Sequence, residues 1–197
     1  MPETTTKSNV VEYGLSNCYA AVAKYDASTK KYTYETPFAM PYAKSISFDP
    51  QGNKKKIFAD NIAAKTLISN TGYSGTLSLL QIPKEFRVKI LGEIEKNGAL
   101  LENSDAKTVE FALIFQFEGD VTNKRHVLYR CTATRPQIAS DTKEEEISEN
   151  TLQISIEATP RENDHYTKLS LLESDNAAAY AKLITEIVEP DAIEPAA

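Results

Sequence analysis

The stretch FALIFQFEGDVTNKRHVLYRCTATRP, residues 111–136, decides the fold. Apolar and polar residues alternate with a period of two before residue 119, which predicts a strand with one face toward a core. Turn-forming residues follow at 119–124 and a second apolar run comes after them, so the stretch predicts an antiparallel hairpin. Its core face is predicted to hold Phe111, Leu113, Phe115 and Phe117 from the first strand, and Val127, Tyr129, Cys131 and Ala133 from the second.

The opposite face of this hairpin is predicted to be largely polar and of mixed charge. The first strand places Glu110, Gln116 and Glu118 there, and the return strand places His126, Leu128, Arg130, Thr132 and Thr134 there. The residues alone make this hairpin the centre of a mainly β domain and leave open what its polar face contacts.

The composition excludes several classes of protein. The 197 residues include 22 basic and 28 acidic side chains, a net charge of −6, whereas nucleic-acid binding normally needs a concentrated basic face. No run approaches the roughly 20 apolar residues of a membrane-spanning helix, and residues 1–9 lack the apolar segment of a signal peptide. We therefore expect a chain that folds in the cytoplasm and does not interact with membranes.

One domain is the simplest organisation for this length. We expect a flexible N-terminal arm over residues 1–9, a β-rich domain over 10–172, and a C-terminal helix with a disordered tail over 173–197. A short helix is predicted from Pro83, with Phe86 and Ile90 on one face and Gly92 as its stop. The C-terminal helix is predicted to start at Ser174 or Asp175 and to reach about Val188, with an apolar stripe of Ala177, Tyr180, Ala181, Ile184 and Val188.

Two segments of opposite charge stand out. Residues 40–66 predict a long hairpin with a basic tip at Lys54, Lys55 and Lys56, and turn signals are present at 49–53 and 70–72. Residues 141–149 predict an acidic loop, with Asp141, Glu144, Glu145, Glu146 and Glu149 against Lys143. Lysine runs without interleaved aromatic residues usually decorate a loop or meet an acidic partner.

The sequence contains few residues suited to catalysis. His126 and His165 are the only histidines, and Cys18 and Cys131 fall in predicted strands, where buried reduced thiols are expected. A metal site needs several ligands that converge, and neither a phosphate-binding glycine loop nor a nucleophile elbow is present. We therefore expect no enzyme activity, no cofactor and no metal.

Several segments together resemble one known family. They are VVEYGLSNCYAAV (10–22), SISFDPQGNKKKIFADN (45–61), NTGYSGTLSLLQIPKEFRVKILG (70–92), NGALLENSDAK (97–107), FALIFQFEGDVTNKRHVLYRCTATRP (111–136) and ENTLQISIEATPR (149–161). In this order they are similar to the major tail protein, or tail tube protein, family of long-tailed bacteriophages. The resemblance covers most of residues 10–161 and little of the two termini.

This resemblance implies a fold of two packed antiparallel sheets, sandwich-like or barrel-like, flanked by a helix. It implies hexameric rings that stack into a hollow, non-contractile tail tube, through which DNA passes at ejection without specific binding. The implied partners are other copies of the chain and the tape measure, tail terminator and distal tail proteins. The implied location is the virion tail, after assembly in the host cytoplasm.

In such an assembly two sets of residues are candidate contacts. Lys54, Lys55 and Lys56, with Glu144, Glu145 and Glu146, are candidates for self-assembly through opposite charge. Glu110, Gln116, Glu118, Arg130 and Thr132 are candidates for a face that lines the channel or meets a neighbouring sheet. The alternatives are a stand-alone β-sandwich module that binds glycan or a cell surface, which the absence of tryptophan disfavours, and a hydrolase with a dispersed site.

Overall fold

The computed structural model describes residues 13–59, 62–118, 123–138 and 150–193. The N-terminal arm at 1–9, the loop at 141–149 and the last residues of the tail lie outside this range. The strands are β1 Tyr13–Asp26, β2 Lys31–Tyr34, β3 Phe38–Ala39, β4 Ala43–Ala59, β5 Ile62–Leu79, β6 Ile94–Lys96, β7 Ala99–Leu101, β8 Phe111–Glu118, β9 Arg125–Ala133, β10 Leu152–Ala158 and β11 Lys168–Leu171. The helices are α1 Lys84–Lys89 and α2 Ala177–Lys182, and a 3₁₀ turn spans Pro190–Ala192.

One antiparallel sheet contains nine of the described strands. Its order is β2-β1-β8-β9-β10-β5-β4, with β3 paired to β1 and β11 paired to β9, while β6 and β7 form a separate two-stranded sheet. The large sheet is curled, because side chains from both ends of this order meet in one core: Val22 of β1 is buried there with Leu77 of β5, and Phe48 of β4 packs against them. The prediction of a mainly β protein is confirmed.

The β8–β9 hairpin lies in the middle of this sheet. The two strands pair antiparallel, as predicted, and Phe111, Leu113 and Phe115 are buried in the main core. The predicted core face of the second strand is wrong, because Leu128 and Cys131 lie in the main core while Val127 and Tyr129 lie in a second core on the other side. The register shifts between the Phe111–Cys131 and Leu113–Leu128 pairs. A β-bulge adds one residue to a strand and exchanges the two faces beyond it, and a period-two pattern does not reveal it.

The second core covers the opposite face of β8 and β9. Ala112, Ile114, Val127 and Tyr129 are buried there beneath the C-terminal segment, which contributes Ala179, Tyr180, Leu183, Ile187 and Val188. The expectation of an open polar face along the whole hairpin is therefore wrong. Period-two polarity appeared at Gln116 and Glu118, but the positions between them and the bulge carry alanine and isoleucine.

The C-terminal helix is shorter than predicted. The helix α2 ends at Lys182, and its N-cap is Asn176, whose side chain accepts a hydrogen bond from the Ala179 amide at 3.0 Å. Ala177 and Ala181 of the predicted stripe are exposed, whereas Leu183 and Ile187 are buried instead. The chain leaves the helix where β-branched residues such as Ile184 and Thr185 begin, and these residues have low helix propensity.

The hairpin predicted over 40–66 is confirmed as a hairpin, but it is longer. The strands β4 and β5 pair from Ala43–Leu79 to Ala59–Ile62, so the turns predicted at 49–53 and 70–72 are wrong. Pro50 is tolerated in a continuous strand because β4 is at the edge of the sheet. Gly72 has φ +122°, and a Cβ there would lie 2.0 Å from the Ala158 carbonyl oxygen, so the glycine permits close strand approach rather than a turn.

The other sequence predictions near the core are confirmed. The helix α1 begins after Pro83, buries Phe86 and Ile90 completely, and is followed by Gly92 at φ +76°. On β10 the side chains of Ile154 and Ile156 are buried while those between them are exposed.

Candidate self-assembly surface

The outer part of the β4–β5 hairpin is a two-stranded ribbon, residues 51–59 and 62–72. The strand β10 pairs with β5 only over Tyr73–Leu79, so in the part of the chain that the structure describes the ribbon strands pair only with each other. At about 3.4 Å per residue the ribbon extends roughly 25 Å from the sheet. Its exposed large apolar side chains are Ile57, Phe58, Ile62, Leu67 and Ile68.

Each face of the ribbon mixes lysine with apolar side chains. Cross-strand partners share a face, so the pairs Lys54–Ile68 and Lys55–Leu67 lie on opposite faces. Lys56 and Lys65 add to the basic character, and all four lysines are exposed. Lys54, Lys55 and Lys56 lie within β4 rather than at the hairpin tip, which corrects the predicted position.

The ribbon does not bury enough surface to account for its own stability. An isolated two-stranded hairpin is marginally stable in water, and an exposed edge strand with apolar side chains favours pairing with another chain. Ile68 is 78% exposed and Ile62 is 69% exposed. These two-sided apolar side chains with flanking lysines are the features of a surface that contacts a partner.

The residues predicted for a lumen or interface face are separated into two environments. The Arg130 guanidinium donates to Glu110 at 2.8 Å and to Glu162 at 3.0 Å, and this cluster is partly exposed. Thr132 is half-buried beside Glu157, its partner on β10, and Glu118 is exposed at the end of β8.

Gln116 lies in the second environment, beneath the C-terminal segment. Its Oε1 accepts hydrogen bonds from Asn17 at 2.9 Å, from Arg125 at 3.2 Å and from the Tyr180 hydroxyl at 3.3 Å. Gln116 is therefore a buried part of the subunit itself, and the structure does not bring it together with the Arg130 cluster.

The acidic segment 141–149 belongs to the opposite end of the β4–β5 pair from the ribbon. Although Glu144, Glu145 and Glu146 lie outside the described residues, the chain on either side of them is described. Leu152, which follows the segment, pairs with Leu79, while the Thr134 amide before it donates to Ser155. The basic and acidic segments of the sequence are thus attached at opposite ends of this strand pair.

A small apolar cavity lies at the base of the ribbon. Its volume is about 150 Å³, and its lining is Ile46, Phe48, Tyr73, Phe115, Phe117 and Leu128. His126 and Lys168 complete the lining, and the Lys168 Nζ lies 5.5 Å from the centroid of the Tyr73 ring. We call this cavity the aromatic socket. Sequence reasoning missed it because the alternating aromatic residues indicated only a closed core.

A buried arginine fixes the C-terminal segment and was also missed. Arg161 is 1% exposed and donates to Glu189 at 2.6 Å, to Asp164 and to the Tyr34 hydroxyl, and its guanidinium lies 4.8 Å from the Tyr129 ring centroid. The Tyr129 hydroxyl donates to the Val188 carbonyl at 3.0 Å. In the sequence, Arg161 stands in a polar turn and carries no signal of burial.

The titratable groups of the core are structural. Burial raises the pKa of the Cys18 thiol to about 12 and also raises that of Cys131, so both free thiols stay protonated at neutral pH. The His126 Nδ1 lies 2.9 Å from the Ser170 hydroxyl, and its ring stacks on Phe115. Among the described residues no three or more His, Cys, Asp or Glu side chains are grouped as metal ligands would be.

Comparisons with known proteins do not identify the chain. No family model matches it, and no curated protein matches its sequence. Within the described residues, no helix is long and apolar enough to cross a membrane.

Proposed function

We propose that this chain is the structural subunit of a bacteriophage tail tube, which assembles into hexameric rings that stack into a hollow conduit. The tail-tube assignment rests on the resemblance of the sequence segments within residues 10–161. The self-assembly it requires is supported by one structural observation, the exposed apolar and basic side chains of the ribbon.

The ribbon supports stacking because the molecule has different charge at the two ends of the β4–β5 pair. Lys54, Lys55 and Lys56 are on the ribbon, and the acidic segment 141–149 is attached at the other end. A copy placed end to end with another brings these opposite charges together. Such complementarity sets register and association rate more than it sets stability.

The curled sheet supports the same proposal. In the tube, the sheet forms the sandwich-like or barrel-like body of each subunit, with α1 and the C-terminal segment packed against it. The strand β4 is at the edge of the sheet order, and pairing between subunits removes such exposed edges.

The proposed tube carries out no covalent chemistry and has no cofactor. Its net charge of −6 suits a channel that passes DNA quickly, since an acidic or mixed surface does not hold phosphate. Its partners are other copies of the chain and the tape measure, tail terminator and distal tail proteins, in the virion tail.

Electron microscopy of the purified protein tests the proposal. We expect rings or tubes, and a persistent monomer that binds glycan would instead favour a stand-alone binding module. Charge reversal of Lys54, Lys55 and Lys56 to glutamate tests the role of the ribbon. We expect polymerisation at low salt to slow by about tenfold, with the difference shrinking as salt screens the charges. Wild-type rates in the triple variant would contradict the role of these lysines.

A further inference from the structure

The aromatic socket has the size of a binding site for one side chain. An apolar cavity of roughly 150 Å³ holds a molecule as large as benzene, and the socket has about this volume. Phe115 and Leu128 form its buried floor, while Phe48, Tyr73 and Phe117 are only half-buried and leave it open to solvent. The opening exists because β10 ends at Ala158 and β11 does not pair with β5 in the described residues, so the sheet is split at the base of the ribbon.

An apolar side chain suited to such a socket stands at the other end of the β4–β5 pair. Ile138 is 95% exposed, the most exposed large apolar side chain among the described residues. It follows β9, beyond the point where the Thr134 amide donates to the Ser155 carbonyl at 3.0 Å. Nothing in the fold of the single chain accounts for an isoleucine in this position.

Charge distinguishes Ile138 from the other exposed apolar side chains. The socket carries Lys168, and the ribbon lysines are attached beside it through Phe48 and Tyr73. The apolar residues of a second ribbon would bring four further lysines to this basic site. Ile138 is followed in the sequence by five acidic residues between 141 and 149 and by one lysine. An occupant with acidic neighbours is attracted to a basic rim, and one with basic neighbours is repelled.

We propose that Ile138 of one copy of this chain inserts into the aromatic socket of the next copy, as a head-to-tail contact. This inference rests on the proposed function, because it names the surface through which successive copies meet. The two contacting patches are different, so each copy retains one free Ile138 and one free socket. Such a heterologous contact propagates into an open stack unless rotation closes it into a ring.

Crosslinking tests the pairing directly. In the variant with both Ile138→Cys and Lys168→Cys, a short bismaleimide should produce a ladder of dimers, trimers and longer oligomers. A mixture of the two single variants should produce dimers and no ladder. The wild-type chain is the control for Cys18 and Cys131, which are buried and free. Assemblies that form normally but give no crosslink between these positions, or a double variant of Phe58→Cys and Lys168→Cys that crosslinks instead, would overturn the proposal.

Substitution of the exposed isoleucine tests its contribution. We expect Ile138→Asp to fold normally and to raise the concentration needed for polymerisation by at least about tenfold, because the buried apolar contact is lost. Ile94→Asp is the matched control, since Ile94 is also exposed and receives the same substitution. Equal losses in both variants, or none in Ile138→Asp, would show that the socket has another occupant or none.

These outcomes separate the two proposals. Tubes that form with Ile138→Asp as readily as with the wild-type chain contradict the socket contact and leave the tail-tube function standing. A wild-type chain that never self-associates contradicts both.

Discussion

The β8–β9 and β4–β5 hairpins are built from the same antiparallel ladder, yet their surroundings are opposite. In β8–β9 both faces are covered, one by the main core and one by the C-terminal segment, and Leu113 and Ile114 are completely buried on the two sides. In the outer part of β4–β5 both faces are open, and Ile68 is 78% exposed. The two hairpins thus differ in burial rather than in strand pairing.

This difference shows which part of the sequence serves the fold of the subunit and which part does not. The apolar side chains of β8–β9 are explained by burial within one chain. Those of the ribbon remain in water in the isolated chain, so their apolar character has a role only when a partner covers them. A variant that weakens folding should therefore act on β8–β9, and a variant that weakens assembly alone should act on the ribbon.

The largest expected contrast is between two isoleucine truncations. Ile114→Ala removes a fully buried side chain and should lower the free energy of unfolding by about 2–5 kcal/mol. Ile68→Ala should change it by less than about 0.5 kcal/mol, because the side chain is mostly exposed. Urea denaturation of the monomeric variants checks both. Similar losses in the two variants would show that the ribbon is packed within the subunit.

A smaller effect is expected from the buried arginine that holds the cover over β8–β9. Arg161→Met removes charge-assisted hydrogen bonds to Glu189 and Asp164. We expect a loss of about 1.5 kcal/mol, the lower end for such bonds, because Glu189 is itself partly exposed. Limited proteolysis should then cleave the C-terminal segment sooner, while cleavage in the ribbon stays at the wild-type rate. Unchanged C-terminal cleavage would exclude Arg161 as the residue that fixes the cover.

The cap of α2 gives a further step down in size. Asn176→Ala removes the side chain that accepts from the Ala179 amide and should cost about 1 kcal/mol. Asn176→Ser is the matched control, since serine also caps helices well. Thermal unfolding of the two variants measures the difference, and an equal melting temperature for both would indicate that the short helix is held by packing alone.

The smallest effect is a dependence on pH. Burial opposes ionisation of Asp164, but hydrogen bonds from the Arg161 side chain and the Tyr166 amide hold its pKa below the usual 3.8. Because the pKa is lower in the folded state, the stabilisation is complete above the usual value and is lost as the pH falls through the lowered one. The wild-type chain should therefore lose its stability advantage over Arg161→Met in acid. An advantage that stays constant down to pH 2 would rule out this linkage.

The sequence predicted strands best where a single rule governs a long run. The alternation on β10 and the position of α1 follow directly from period-two and i, i+4 patterns, and both are confirmed. The turns predicted at 49–53 and 70–72 were wrong because glycine and proline also serve edge strands and close strand approach. The faces of β9 were exchanged because a bulge leaves no signature in the order of apolar residues.

The sequence by itself determined a mainly β chain, the central hairpin, two buried thiols and two segments of opposite charge. These depend on residue type and local spacing, which the chain carries explicitly. The tertiary structure alone decided that Gln116 is covered, that Arg161 is buried, that the ribbon stands apart from the sheet, and that an aromatic socket opens at its base. Each of these depends on contacts between residues distant in the chain, such as Arg161 with Glu189 or Phe48 with Phe115, and no local pattern encodes those contacts.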